Sequence, residues 1–382
     1  MIKVFDVAII GSGPAGASAA FELAKNGIST VIIEKETLPR YKTCGGGFAY
    51  RGRRKMPFDV SSVVEKEFFK VDAFFEKMGV HVVSERKEPI ISMVMRDDFD
   101  NFLVEKAKEK GIIILENHKL KNITFEDGIT LHTSQGDVKT KFVIAADGVL
   151  SPTAKLTGWV EDTRLLIPAL EYEVEVTPED FERLSKSVRL DFDAIPMGYG
   201  WCFPKKNHLS IGLASFRRVK VDFKKLYREY MENTLGITEV VSEQMHGFQI
   251  PVTPRTDGCV RKGVFLVGDA AGFADPLTAE GISNAIFSGI MAAESIIESK
   301  LDKKLAEETY NSKLNKTLIP ELKTGVRLSK LFYENEKIRN FLIKKYGDRI
   351  CEVMTQILMG ERTYPADITK QIKKKLRKAI FS

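Results

Sequence analysis

Residues 4–34 read VFDVAIIGSGPAGASAAFELAKNGISTVIIE. The first seven are mostly apolar and end at a glycine, the pattern of a buried strand. Gly11, Gly13 and Gly16 then stand in the spacing G-x-G-x-x-G. The alanine-rich run that follows reads as a helix closed by Gly27, and TVIIE as a second buried strand. Such a βαβ unit suits a dinucleotide. Gly11 permits the tight turn, Gly13 lets a pyrophosphate approach the backbone, and Gly16 lets helix and strand pack closely. The first turn of the helix, at Pro14 and Ala15, offers unsatisfied N–H groups to the phosphates. Glu34 ends the second strand, where a carboxylate accepts from ribose hydroxyls and repels a 2′-phosphate. Lys35, beside it, completes this group of cofactor-binding candidates.

The chain has 382 residues, enough for one large or two ordinary domains. Its 43% hydrophobic and 29% charged residues describe a soluble globular protein. No apolar run approaches a membrane-spanning length. MIKVFDVAII leads almost directly into the first strand, so no secretory leader is expected. Cys44, Cys202, Cys259 and Cys351 are far apart, without zinc or disulfide spacing, and a cytoplasmic location is expected. The five histidines are scattered, so no metal is expected. Six Lys or Arg and no acid fall in the last thirteen residues, which carry the whole net charge of +6. With no nucleic-acid motif beside it, this tail does not point to nucleic acid. Ile368, Ile372, Leu376 and Ile380 give it an apolar stripe. It is either a basic amphipathic helix for an anionic membrane or a helix packed on its own domain.

Beyond the opening, residues 90–160 contain strand, helix and strand patterns ending at FVIAADG. Residues 165–254 change to long alternating strands, among them ALEYEVEV and HLSIGLASF, and predict an antiparallel sheet. GVFLVGDAAGF is another buried strand with a glycine turn, and the rest is mostly helical. The domains are therefore expected to interleave. Residues 1–60, 90–160 and 255–300 form the nucleotide domain, 61–89 and 161–254 the substrate domain, and 301–382 a helical region with the basic tail.

Within the alternating region, PMGYGWCFPKK (196–206) sets Tyr199, Trp201 and Phe203 two apart. On a strand all three share a face, and Cys202 packs on the other. Such a row is either sheet core or the wall of an apolar site.

Two further stretches, FVIAADGVLSPTAK with Asp147 and Gly148, and GVFLVGDAAGFADPLTAEGISNAI with Gly268, Asp269, Pro276, Gly281 and Ile282, resemble the later fingerprints of the flavoprotein hydroxylase superfamily. That resemblance implies an α/β fold: a Rossmann-like FAD-binding domain of the p-hydroxybenzoate hydroxylase type, an interleaved antiparallel-sheet substrate domain and C-terminal helices. It implies FAD as cofactor, with Asp269 on its ribityl and phosphate portion and the helix entered near Gly281 aimed at the flavin.

P-x-x-Y-x-W-x-F-P over residues 196–204, TCGGGF over 43–48 and MRDDFDNFL over 95–103 resemble motifs of the geranylgeranyl reductase family. The family implies hydride transfer from reduced flavin to a prenyl C=C bond. It implies Cys44, Gly45 and Gly47 beside the flavin, Arg96 near FAD, and Leu120 at adenine. Tyr199, Trp201 and Phe203 would line an isoprenoid channel, with Tyr199 and Trp201 near the reacting ring. Cys44 and Tyr199 are both candidates for the proton donor. Expected partners are an isoprenoid or prenylated lipid and an electron donor: ferredoxin, a deazaflavin or NADPH. The chain departs from the family at Ala279-Glu280-Gly281, where archaeal members often carry three glycines, and at C-G-G-G in place of C-G-E-G. Arg40 and Lys42, flanking the cysteine loop, either help hold the FAD or attract a phosphate headgroup or, as the default expectation, are solvated charges. Alternatives are an FAD monooxygenase of the same fold acting on an aromatic substrate, and a prenyl-binding protein without catalysis.

Overall fold

The computed structural model describes residues 3–217 and 220–364. The tail stripe from Ile368 to Ile380 lies outside them.

A central sheet is ordered Val260–Arg261, Val264–Leu266, Gly136–Ala145, Lys3–Ile10, Thr30–Ile33, Ile113–Leu115. Lys3–Ile10 runs parallel to both its neighbours. Its second half, and all of Thr30–Ile33, is buried on both faces, which is why these strands read as unbroken apolar runs. An antiparallel hairpin, Leu120–Thr124 and Ile129–Thr133, extends from Gly136–Ala145. Helix Pro14–Lys25 packs between Arg96–Lys108 and Ile282–Glu298. The second contact is tight: a Cβ on Gly289 would lie 2.1 Å from the Ala15 carbonyl oxygen.

The second sheet has seven strands, in the order Val240–Pro251, Leu166–Val176, Leu209–Ser215, Gly198–Pro204, Val188–Asp191, Lys70–Phe75, Val80–Glu85. Its pairs are antiparallel except Val188–Asp191 with Lys70–Phe75, which run parallel. These two strands come from distant parts of the chain and share no hairpin, which leaves the parallel direction open to them. Lys66–Phe68 does not join this sheet. It pairs with Ile91–Met93, which also pairs with Gly47–Ala49, in a small third sheet.

Helices Lys303–Lys316, Leu318–Glu334 and Glu336–Met359 complete the described chain. The last packs on Val80–Glu85 and is kinked at Tyr346, where φ is −138° and ψ 17°. Gly347 follows the kink, and a Cβ there would stand 3.2 Å from Val82 Cγ1. No helix among the described residues is long and apolar enough to cross a membrane.

Candidate functional site

One continuous cavity of about 1170 Å³ runs between the two large sheets and under the last helices. It exceeds the roughly 300–1,000 Å³ of ordinary small-molecule sites. One end is polar and begins at the glycine turn. The other is apolar, with Val71, Phe75, Val82, Phe192, Ile343 and Met354 in its wall.

At the polar end, Gly13 caps helix Pro14–Lys25 without any side-chain hydrogen bond. Arg96 Nη2 and Arg40 Nη2 stand 3.7 Å and 3.9 Å from where a Cβ on Gly13 would be. Both guanidiniums are tied to Asp100: Arg96 Nε at 2.8 Å and Arg40 Nη1 at 3.0 Å. Two held cations and an uncapped helix N-terminus thus converge on one point, an arrangement suited to a pyrophosphate. Glu34 is 3% exposed. Its Oε2 accepts from Ser12 N at 3.0 Å and Ser12 Oγ at 2.6 Å, and its Oε1 from Glu36 N at 3.1 Å. A carboxylate has about four acceptor positions, which leaves capacity for a ribose. Gly11, Pro14, Ala15, Lys35 and Leu120 also line this end. Gly16 does not. A Cβ there would sit 2.1 Å from the Gly11 carbonyl oxygen, so Gly16 serves close packing beneath the turn. The expectation that Arg40 and Lys42 are solvated is corrected. The Arg40 side chain is 16% exposed and ion-paired, and Lys42 lines the cavity with Nζ 4.1 Å from the Phe248 ring centroid. Burial, then the nearby Arg96, holds the Lys42 ammonium below its usual pKa.

Midway, Cys44, Gly45 and Gly47 line the cavity on the loop before Gly47–Ala49. The buried Lys205 holds this loop, its Nζ donating to Gly45 O at 2.7 Å and Val94 O at 3.0 Å. Gly46 adopts φ +70°, and a Cβ there would strike Val94 O at 2.1 Å. Opposite stands the aromatic row. Tyr199, Trp201 and Phe203 all line the cavity, while Cys202 is buried on the other sheet face with Tyr227 and Tyr230. Register explains how the row fits. Trp201 pairs with Gly212, and a Cβ on Gly212 would lie 2.2 Å from Trp201 Cζ2. The indole therefore lies across the sheet in the space a side chain would fill. Tyr199 Oη donates to Thr278 O at 2.6 Å, and burial pushes its phenol well above the usual pKa.

Asp147, Gly148, Gly268, Asp269, Gly281 and Ile282 close the cavity from the central sheet. The Asp147 carboxylate accepts from Ser151 Oγ at 2.6 Å and Thr153 N at 2.9 Å, and so shapes its own loop. Asp269 Oδ1 stands 3.7 Å from where a Cβ on Gly281 would be, at the start of helix Ile282–Glu298. Pro276 lies off the cavity wall and packs near Gly325. In the stretch that departs from three glycines, Ala279 adopts φ 59°. Glu280 Oε1 accepts from Ser283 N at 2.8 Å, and its Oε2 meets Arg51 Nη2 at 3.1 Å. Arg51 also reaches Asn284 Oδ1 at 2.9 Å and Glu321 Oε1 at 3.2 Å, joining two helices behind the site.

Sequence reasoning passed over Glu171, Lys205 and Arg51. Glu171 sits in EYEVEV, whose three acids share one strand face. Glu175 is exposed, Glu173 intermediate and Glu171 buried, and nothing local marks which end of that face is covered. Lys205 and Arg51 look like ordinary surface charges until distant segments close over them. Among the described residues no group of three His, Cys, Asp or Glu is placed to hold a metal ion.

The uncapped helix start, the paired guanidiniums, Glu34, and the glycines where a Cβ would strike backbone fit FAD. Residues 4–192 match the family described as FAD binding domain. The chain is 30% identical to a chloroplastic geranylgeranyl diphosphate reductase of Arabidopsis thaliana, over 96% of this chain and 83% of that protein. It is 29% identical to a digeranylgeranylglycerophospholipid reductase of Thermoplasma volcanium, over 77% of this chain and 78% of that one. A solved structure described as geranylgeranyl bacteriochlorophyll reductase-like, from Thermoplasma acidophilum, superposes with a TM-score of 0.79 at 22% identity. That match covers 99% of this chain and 100% of the other. The likeness extends from the glycine turn through the aromatic strand to the last helices, and the chain belongs to the geranylgeranyl reductase family of FAD-binding proteins.

Proposed function

We propose that the chain is an FAD-dependent oxidoreductase that saturates C=C bonds of a geranylgeranyl or related isoprenoid chain carried on a lipid or a diphosphate. One observation carries the reading. The nucleotide-end residues, the aromatic row and an apolar set that includes Val71, Phe75, Val82 and Ile343 line one cavity. A chamber lined by Val, Ile, Met and Phe disfavours a polar substrate and suits a long prenyl chain, which gains by burying its apolar surface there.

Gly11, Gly13, Pro14, Ala15, Arg96 and Arg40 would hold the pyrophosphate, Glu34 and Lys35 the adenosine ribose, and Leu120 the adenine. Cys44, Gly45, Gly47, Asp147, Gly148, Gly268, Asp269, Gly281 and Ile282 would surround the rest of the cofactor, with Gly16 supporting the turn from below. When bound and reduced, FAD supplies a hydride. Trp201, Tyr199 and Phe203 confine one double bond of the chain and exclude water from it. The Tyr199 proton is engaged by a backbone carbonyl, and burial opposes its loss, so Tyr199 positions the chain rather than protonating it. We assign the protein to the cytoplasm, with electrons from ferredoxin, a deazaflavin or NADPH, and with the basic stretch 370–382 as its membrane contact.

The test is anaerobic. Purified protein is reduced with dithionite, given geranylgeranylated phospholipid or geranylgeranyl diphosphate, and the lipid is followed by mass spectrometry. Stepwise gain of hydrogen pairs is expected. No gain with flavin bound and reduced overturns the reading, and oxygen uptake triggered by an aromatic substrate would replace it with monooxygenation.

A further inference from the structure

Glu171 has no part in the site so far, yet it faces the same cavity. It pairs with Gly212 on one side of its strand, and Gly212 pairs in turn with Trp201. Directly paired residues project to the same face, so the carboxyl and the indole look into one space. Glu171 is 3% exposed. Its Oε1 accepts from Cys44 N at 2.7 Å and from Tyr41 Oη at 3.4 Å.

The charged groups around it are occupied elsewhere. Lys205 is bound to the carbonyls of Gly45 and Val94, and Arg96 to Asp100. Glu173, two residues along the same face, accepts from His208 Nε2 at 3.0 Å. His246 stacks on the Tyr41 ring at 4.2 Å, and Lys42 lies over Phe248. Among the described residues Glu171 forms no ion pair. A buried carboxylate without a cation is strongly disfavoured. Burial first, and Glu173 second, push its pKa up to about 7.

We propose that Glu171 is the acid of the ene reduction, giving its proton to the alkene carbon that does not receive the hydride, with Tyr41 linking it to bulk water. The proposal rests on the function proposed above. The hydride's electron pair makes one C–H bond, and the alkene π pair makes the other with the Glu171 proton. Oxidised cofactor and a carboxylate remain. The carboxylate regains a proton from water through Tyr41, whose hydroxyl contacts it and whose side chain is 40% exposed at the cavity mouth. The Cys44 N–H fixes the orientation of the carboxyl.

The test uses the flavin-loaded full chain as wild type, Glu171→Gln and Cys44→Ala. The carboxylic-acid band of Glu171 is titrated by difference infrared spectroscopy. Single-turnover reoxidation of reduced flavin by geranylgeranylated phospholipid is timed from about pH 5 to 9. Expected are a carboxyl band in wild type that fades through neutrality and is missing in Glu171→Gln, and a wild-type rate that falls above neutrality. Glu171→Gln binds and reduces flavin normally, but its rate drops about a hundredfold and the neutral limb disappears. Cys44→Ala, which keeps the backbone donor, retains the limb. A Glu171→Gln protein that keeps both rate and limb overturns the proposal, as does loss of the limb in Cys44→Ala alone. A wild type that reduces no prenylated lipid fails one step earlier, at the function itself, and is told apart by that.

Discussion

At the scale of single residues the site is set by atoms that are missing as much as by atoms that are present. Gly212 gives its Cβ volume to Trp201, so Gly212→Ala forces the indole off its wall at an overpacking cost of about 1–3 kcal/mol. The expected result is flavin binding unchanged, a shifted tryptophan emission, and loss of prenyl turnover. Lys205 is the converse case, a buried ammonium that closes the cysteine loop. Lys205→Met leaves the Gly45 and Val94 carbonyls short of a donor, and a drop of about 3 kcal/mol is expected in urea unfolding. Glu171 predicts a pH signature in the flavin-free protein. Its folded pKa of about 7 exceeds the ordinary 4.5, so its protonation favours the folded state at low pH, and that contribution is lost as pH rises from 4.5 through 7. Glu171→Gln, which does not ionise, is therefore expected to resist denaturant better than wild type at alkaline pH, by about 3 kcal/mol at most, with the advantage vanishing in acid. Thermal melts at several pH values decide this. None of the three residues was legible in advance, because each depends on which distant segment covers it.

Among the elements, those whose physics is local were legible. The glycine turn, its two strands and its helix follow from spacing and periodicity, and so does the shared face of Tyr199, Trp201 and Phe203. What stayed hidden was long-range pairing. Lys66–Phe68 leaves its neighbours for a small third sheet, and Val188–Asp191 takes a parallel partner from more than a hundred residues earlier. Arg40 and Lys42 carry charges that read as solvated but face inward, because helix Arg96–Lys108 and strand Val240–Pro251 come to meet them. The entry to helix Ile282–Glu298 shows a local departure with a local remedy. Ala279 holds φ 59°, a conformation unfavourable for a residue with a Cβ by about 1–2 kcal/mol. Ala279→Gly relieves that strain but adds freedom to the unfolded chain, so a net gain of about 1 kcal/mol or less is expected in denaturant melts. Glu280 places a carboxylate at the same helix start and is held by Arg51. Glu280→Gln removes that negative charge from the cavity wall, and the midpoint potential of the bound flavin is expected to rise, as read by spectroelectrochemistry.

For the whole molecule, the far end of the cavity is expected to limit the length of chain it accepts. Helix Glu336–Met359 lies over strand Val80–Glu85, and a Cβ on Gly347 would stand 3.2 Å from Val82 Cγ1. Gly347→Leu fills the chamber from above. A geranylgeranyl substrate is expected to lose about tenfold or more in kcat/KM while a geranyl analogue is little changed, which a two-substrate comparison measures. The undivided cavity has a consequence for how this protein behaves in the laboratory. The residues that would hold the prosthetic group and the apolar residues line one and the same cavity. A molecule stripped of that group is a single long receptacle with cationic groups at one end and oil at the other, the shape of a detergent or a fatty acid. Preparations that lose their yellow colour should gain scavenged amphiphile in step, and refilling them will require a competitor strong enough to evict it.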